Sequence, residues 1–321
     1  MSSYVVRRLF QAVPLLLIIT FIAFGIIQST GDPLAAYTVE ASLTSDDIAR
    51  LRAYYGLDRP LPLQYLSWLK NMLTGNWGTS YYTRENVVDM VLNRLPNTLL
   101  LVAVSYALTL SVAVIVGIAT AVRQYSLFDH LVTGLTFVGI AIPNFWLGLM
   151  LIIVFSVQFK GAGLPYFPVG GMYDHRVGPS FGQFLWHVIL PAATLSFVMT
   201  AQYIRYIRSS VIEQVHLDYV RTARSKGLAE IVVLGRHVFK NALLPLITLI
   251  ALDIPNILSG TIVIESIFAW PGMGRLFWSA AERTDIPVLM ATLIFVSTVT
   301  VISNMLADLL YAVVDPRIRY T

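Results

Sequence analysis

The sequence contains no cysteine, which excludes disulfides, thiolate metal sites and thiol nucleophiles and leaves the redox compartment open. Lysine is nearly as scarce. The four present, Lys70, Lys160, Lys226 and Lys240, never follow a glycine, so the Gly-Lys-Ser/Thr phosphate cradle of an ATP site is missing. Five histidines never form HExxH, and no metal or other cofactor is expected. Charged residues make up 12% of the chain against 56% hydrophobic, and the mean hydropathy of +0.70 lies far outside the soluble globular range. The net charge of +4 has no accompanying stripe of basic and aromatic residues, so nucleic acid is not an expected partner. There is no internal repeat and no low-complexity tract.

What the chain does have is long runs without charge. A helix rises 1.5 Å per residue, so about 20 apolar residues cross the hydrocarbon of a bilayer. Six windows qualify: Leu9 to Gly31, Leu95 to Val122, Leu131 to Phe159, Val177 to Ile204, Asn241 to Ile264 with Asp253 inside, and Ile286 to Ala307. Pro14, Pro143, Pro191 and Pro255 lie within them, as membrane helices permit where neighbours satisfy the freed carbonyls. The first run is too long for the core of a secretory signal and reads as a retained anchor. Twelve Lys and Arg residues fall on one side of these windows and four on the other, with six more in the long segment after the first window. The positive-inside rule then places both termini in the cytoplasm of a multi-pass protein in contact with membrane lipid.

The segment 32–94 is the one sizeable region expected outside the membrane on the far side, between residues 1–31 and a transmembrane core over 95–321. Thr44 is placed to cap a helix with Asp47 at its third position and Gly56 at its end, and a second amphipathic helix is expected from Pro62 to Gly75. Tyr65, Trp68 and Trp77 suit either a docked partner or anchoring at the interface. Asp253 is the one carboxylate well inside a membrane window, a functional candidate by position. It can line a pathway with nearby Asn256, bond to a neighbouring helix, or mark a distortion at Asp253-Ile254-Pro255-Asn256 that reaches the surface. Asp308 lies at a different depth, so no aspartic dyad forms. No catalytic residues are identified.

The most specific spacing is in the loop 205–240. Asp218 is placed to cap a short helix through Lys226, Gly227 suits a left-handed cap, and Leu228 is positioned to close over Ala223. A second helix from Ala229 leads back to the membrane at Pro245. This stretch, RTARSKGL at Arg221 to Leu228 followed by RHVFKNALLP at Arg236 to Pro245, resembles the ATPase-docking loop of ABC importer permease subunits in the dipeptide, oligopeptide and nickel branch. It departs from the general Glu-Ala-Ala pattern, with Arg221-Thr222-Ala223 in its place and Leu244-Pro245 five residues late. GLDRPLPLQYLSWL, LTGNWGTS, RLPNTLLL, PNFWLG, ESIFAWPGMGRL and DPRIR follow in that branch's order.

The resemblance implies an all-α polytopic fold of six transmembrane helices, the type I ABC importer permease fold, with a small helical insertion after the first. It further implies a non-catalytic transport subunit with a sister permease, two cytoplasmic ATP-binding subunits and an extracytoplasmic substrate-binding protein as partners. Tyr219, Arg221, Thr222, Ala223, Arg224, Lys226, Gly227 and Leu228 would then dock on the ATPase, while Tyr65, Trp68 and Trp77 would meet the binding protein. The cargo would be a di- or oligopeptide, or alternatively a nickel complex or oligosaccharide. A secondary transporter would carry several intramembrane carboxylates or inverted repeats, and an intramembrane hydrolase a paired nucleophile and base. Neither pattern is present.

Overall fold

With no water in the bilayer core, a backbone that crosses it must pair its own N–H and C=O groups, and the apolar runs accordingly fold as helices. The computed structural model describes residues 2–30, 44–243, 246, 249–250, 253 and 261–314. The helices are α1 (Ser2–Thr30), α2 (Ser45–Tyr55), α3 (Leu61–Leu73), α4 (Val87–Val122), α5 (Leu127–Ala141) and α6, which starts as Asn144–Leu151, widens to a π-helix over Ile152–Gln158 and ends at Phe159–Gly161. They continue with α7 (Phe181–Val215), α8 (Asp218–Ser225), α9 (Glu230–Val232, then π-helical over Val233–Phe239, then Lys240–Ala242), α10 (Met273–Glu282) and α11 (Ile286–Val314). Residues 261–267 are also helical. Among the described residues five helices are long and apolar enough to cross a membrane, and α5 is apolar but shorter. Most of the window Asn241 to Ile264, with Asn256 and Leu244-Pro245, lies outside the described residues, as does the DPRIR stretch.

One expected helix is two. Leu131 to Phe159 is broken between α5 and α6 at Ile142-Pro143, where Ile142 is extended at φ −78° and ψ 123°. The cause is steric: the ring of Pro143 bars the preceding residue from the helical region.

The chain forms two compact units, Met1–Thr98 with Pro271–Met305, and Leu99–Trp270 with Leu306–Thr321. In the first, α2 begins as its sequence requires: Thr44 and Asp47 form a reciprocal capping box, and Gly56 closes the helix at φ 68°. Tyr65 of α3 turns inward onto α1, where its hydroxyl meets Thr20 Oγ1 at 2.9 Å and its ring stands edge-on to Phe21 and Phe24. Below it Met72, Val87 and Val91 pack with Met273, Leu276, Val288 and Leu289. A tight turn over residues 78–87 is held by Asp285, which precedes α11. Its buried carboxylate accepts from Ser80 Oγ and, at 3.1 Å, from the Tyr81 amide, while the Arg283 guanidinium lies 3.8 Å over the Tyr82 ring.

The second unit is built around α7. One of its cores, Leu101, Val188, Leu195, Ile264, Phe268 and Trp270, is sealed by the loop 167–171, whose Gly171 amide donates to Phe268 O at 2.8 Å. Gly170 lies so close there that a Cβ would stand 2.3 Å from the Phe268 carbonyl oxygen, which explains a glycine at that position. The other core of the unit gathers Ile204, Ile207 and Val211 of α7 with Val220 and Ala223 of α8 and Val233 and Val238 of α9.

Candidate functional site

At 35 residues α7 is about 52 Å long, more than the roughly 30 Å of hydrocarbon, so it extends beyond the bilayer and can carry a docking element on its end. That element is α8. Val220 and Ala223 are buried in the core and Tyr219 packs against it, while Arg221, Thr222, Arg224 and Ser225 are exposed. An eight-residue helix does not hold its shape alone in water, so the buried Val220 and Ala223 fix it to α7 and α9. Tyr219 is half-buried and donates its hydroxyl proton to Gln214 Oε1, which ties the first turn of α8 to the end of α7.

The ends of α8 follow from local chemistry. Leu217 occupies the N-cap position without a side-chain hydrogen bond. Asp218 therefore does not cap the helix as expected; it is one residue too far along, and its exposed carboxylate lies 3.6 Å from Arg221. At the other end the Lys226 amide donates to Thr222 O at 3.2 Å and the Gly227 amide to Arg224 O at 2.9 Å, with Gly227 at φ 76°. Nothing lies within 4 Å of a Cβ built on Gly227, so the demand for glycine there comes from the backbone angle and not from crowding. Across the turn Arg224 grips Glu230 with two contacts of 2.6 and 3.1 Å, which raises the arginine pKa and lowers that of the glutamate through the shared hydrogen bonds.

That ion pair changes the balance of the surface. The Arg224 charge is answered within the chain, and beside it apolar side chains stand in the open: Leu228 is 41% exposed and Ile231 81%. Leu228, expected to close over Ala223, thus presents itself outward. The surface combines Arg221 and Lys226 with an apolar tip, the mixture of a protein-docking patch. Sequence reading missed Ile231 because it opens the apolar run Ile231-Val232-Val233-Leu234, which reads as core.

A second constellation joins α5 to α7. Asp129, in the first turn of α5, receives Arg208 Nε at 2.6 Å and Nη2 at 2.7 Å as well as the Tyr125 amide at 2.9 Å. The bidentate arginine is the main reason its carboxyl pKa falls to about 2. One turn nearer the start of α7, Arg205 lies over the Phe137 ring at 4.6 Å. Nearer still, Tyr203 donates to Asp253 Oδ2 at 2.7 Å.

Two family models match the chain: the binding-protein-dependent transport system inner membrane component, over residues 113–320, and the N-terminal portion of such a membrane component, over residues 1–102. The chain belongs to this family. As a member it is a permease component, a transport protein of the inner membrane that spans it several times, and all-helical in fold. Over all of both chains it is 41% identical to the oligopeptide transport system permease protein AppB of Bacillus subtilis and 41% identical to a putative peptide permease protein of Brucella suis. It is 34% identical to the dipeptide transport system permease protein DppB of Escherichia coli, covering 100% of this chain and 99% of that one.

In this permease component the residues singled out from sequence separate by environment. Arg221, Thr222, Arg224, Lys226, Gly227 and Leu228 share one exposed surface, and Ala223 serves beneath it as packing. Tyr65, at 6% exposure, is committed to α1, and Trp68 and Trp77 are half-buried in the same unit. Asp253 has a neighbouring-helix partner in Tyr203.

Proposed function

We propose that this chain is half of the translocation pathway of an ATP-driven importer of di- or oligopeptides, and that α8 with the turn to Gly227 couples it to ATP hydrolysis on partner subunits. The observation that carries this reading is the exposed α8, braced underneath by Val220 and Ala223 and bounded by a turn that glycine fixes. A short helix held so firmly transmits rigid-body motion, which a loose loop does not. The names of the relatives, oligopeptide, peptide and dipeptide permeases, support peptides as cargo in preference to nickel complexes or oligosaccharides.

Two such subunits are needed to surround a peptide, so a sister permease completes the pathway and two cytoplasmic ATP-binding subunits take the two α8 helices. The charge asymmetry supports cytoplasmic termini and a cytoplasmic α8, with the segment 32–94 as an extracytoplasmic cap. A substrate-binding protein delivers cargo onto that cap near Trp68 and Trp77. Asp253 and Asn256 belong to the pathway. Purification and reconstitution test the scheme: ATPase subunits should co-elute, and peptide uptake should follow ATP. Uptake driven by an ion gradient with this chain alone would replace the importer with a secondary transporter.

A further inference from the structure

Asp253 is a carboxylate within an apolar segment, and no ion pair to it exists among the described residues. A charge so placed is costly unless something answers it. Its setting is polar on one side. Tyr203, itself buried, donates to Oδ2 at 2.7 Å and keeps its oxygen lone pairs as acceptors. Tyr106 of α4 packs into the same core; its buried hydroxyl interacts with that of Tyr203, lies within electrostatic reach of Asp253 and makes no well-formed hydrogen bond among the described residues. Tyr203 is five residues before Arg208, about 7.5 Å along α7, so the cluster is deeper than the Asp129–Arg208 pair. Asp253 also retains some exposed surface, and a carboxylate facing lipid tails would be far costlier than one facing an aqueous cavity.

A carboxylate with two phenol oxygens beside it offers acceptor lone pairs, and no cation answers them among the described residues. The matching group carries one positive charge, several N–H donors and no acceptor, which describes a primary ammonium. We infer that Asp253, Tyr203 and Tyr106 form a subsite for the protonated α-amino end of a peptide in transit. This rests on the peptide-importer reading above and deepens it. Asp253 supplies the countercharge, and Tyr203 is a positioning residue that orients the carboxylate.

The test uses the whole complex with its binding protein in vesicles, loaded with trialanine, its C-terminal amide or N-acetyl-trialanine at equal occupancy of the binding protein. Asp253→Asn should lower uptake of trialanine and of the amide at least about tenfold relative to the unmodified complex and leave the N-acetyl peptide unchanged. Tyr203→Phe should raise the half-saturating concentration of the two free-amine peptides severalfold with little change in maximal rate. An equal fall for all three peptides, or loss of the sister permease on purification, would show that the Tyr203–Asp253 bond is structural and overturn the subsite. An unchanged preference would overturn it too. If the unmodified complex takes up no peptide in response to ATP, the importer reading itself fails, a result distinct from all of these.

Discussion

At the scale of single residues, the strongest electrostatic commitment among the described residues outside the spanning segments is Asp129. Its carboxylate is nearly sealed from solvent and held by a bidentate arginine, so Asp129→Asn leaves Arg208 partly buried without its countercharge. Charge-assisted hydrogen bonds of this kind contribute about 1.5 to 3 kcal/mol, and thermal unfolding in detergent should register a loss of that order. The pH dependence has a definite sign. A carboxyl whose pKa is depressed in the folded state contributes fully above its ordinary range, near 4, and loses that contribution as the pH falls toward about 2. The stability gap between the unmodified chain and Asp129→Asn should therefore be flat from pH 7 to about 5 and shrink below it. A gap that changed between pH 8 and 6 would contradict the assignment.

At the scale of elements, local signals were legible and distant pairings were not. Thr44, Asp47 and Gly56 specify both ends of α2 within a dozen residues, and the cap at Gly227 was equally plain, because helix ends are set by neighbours in the chain. Asp218 was misread by one position because any polar residue ahead of an apolar run resembles a cap. The break at Ile142-Pro143 was passed over because membrane helices so often tolerate proline. The latch between Ser80 and Asp285 spans 205 positions, and neither residue carries a pattern that names the other. Nor does the pairing of Asp129 with Arg208, 79 positions apart.

That latch makes its own prediction. Asp285→Ala removes the acceptor of a buried hydroxyl and a backbone amide, at a cost of about 1 to 3 kcal/mol if both donors stay unpaired. Residues 78–87 should then be cut faster in limited proteolysis, with α8 and its surroundings unaffected. Equal rates of cleavage in the two proteins would show that the apolar packing of Val87 and Val91 holds the turn unaided.

At the scale of the whole molecule the account depends on α8 as the place where ATP-driven motion enters the membrane helices. Gly227→Val places a β-branched residue at φ 76°, a strain of about 1 to 2 kcal/mol, with no steric clash to add to it because the space around the glycine is open. Such a strain is small against a membrane bundle and large for a two-turn helix, so the variant should insert and pair normally while its docking surface is misdirected. Deletion of Arg221 to Leu228 removes the surface outright. The decisive measurement is ATP-driven peptide uptake in reconstituted vesicles, made together with ATPase retention on purification. The deletion should release the ATPases and abolish uptake, and Gly227→Val should retain the sister permease yet fail to link hydrolysis to transport. Normal ATP-driven uptake by the deletion variant would contradict the coupling role of α8.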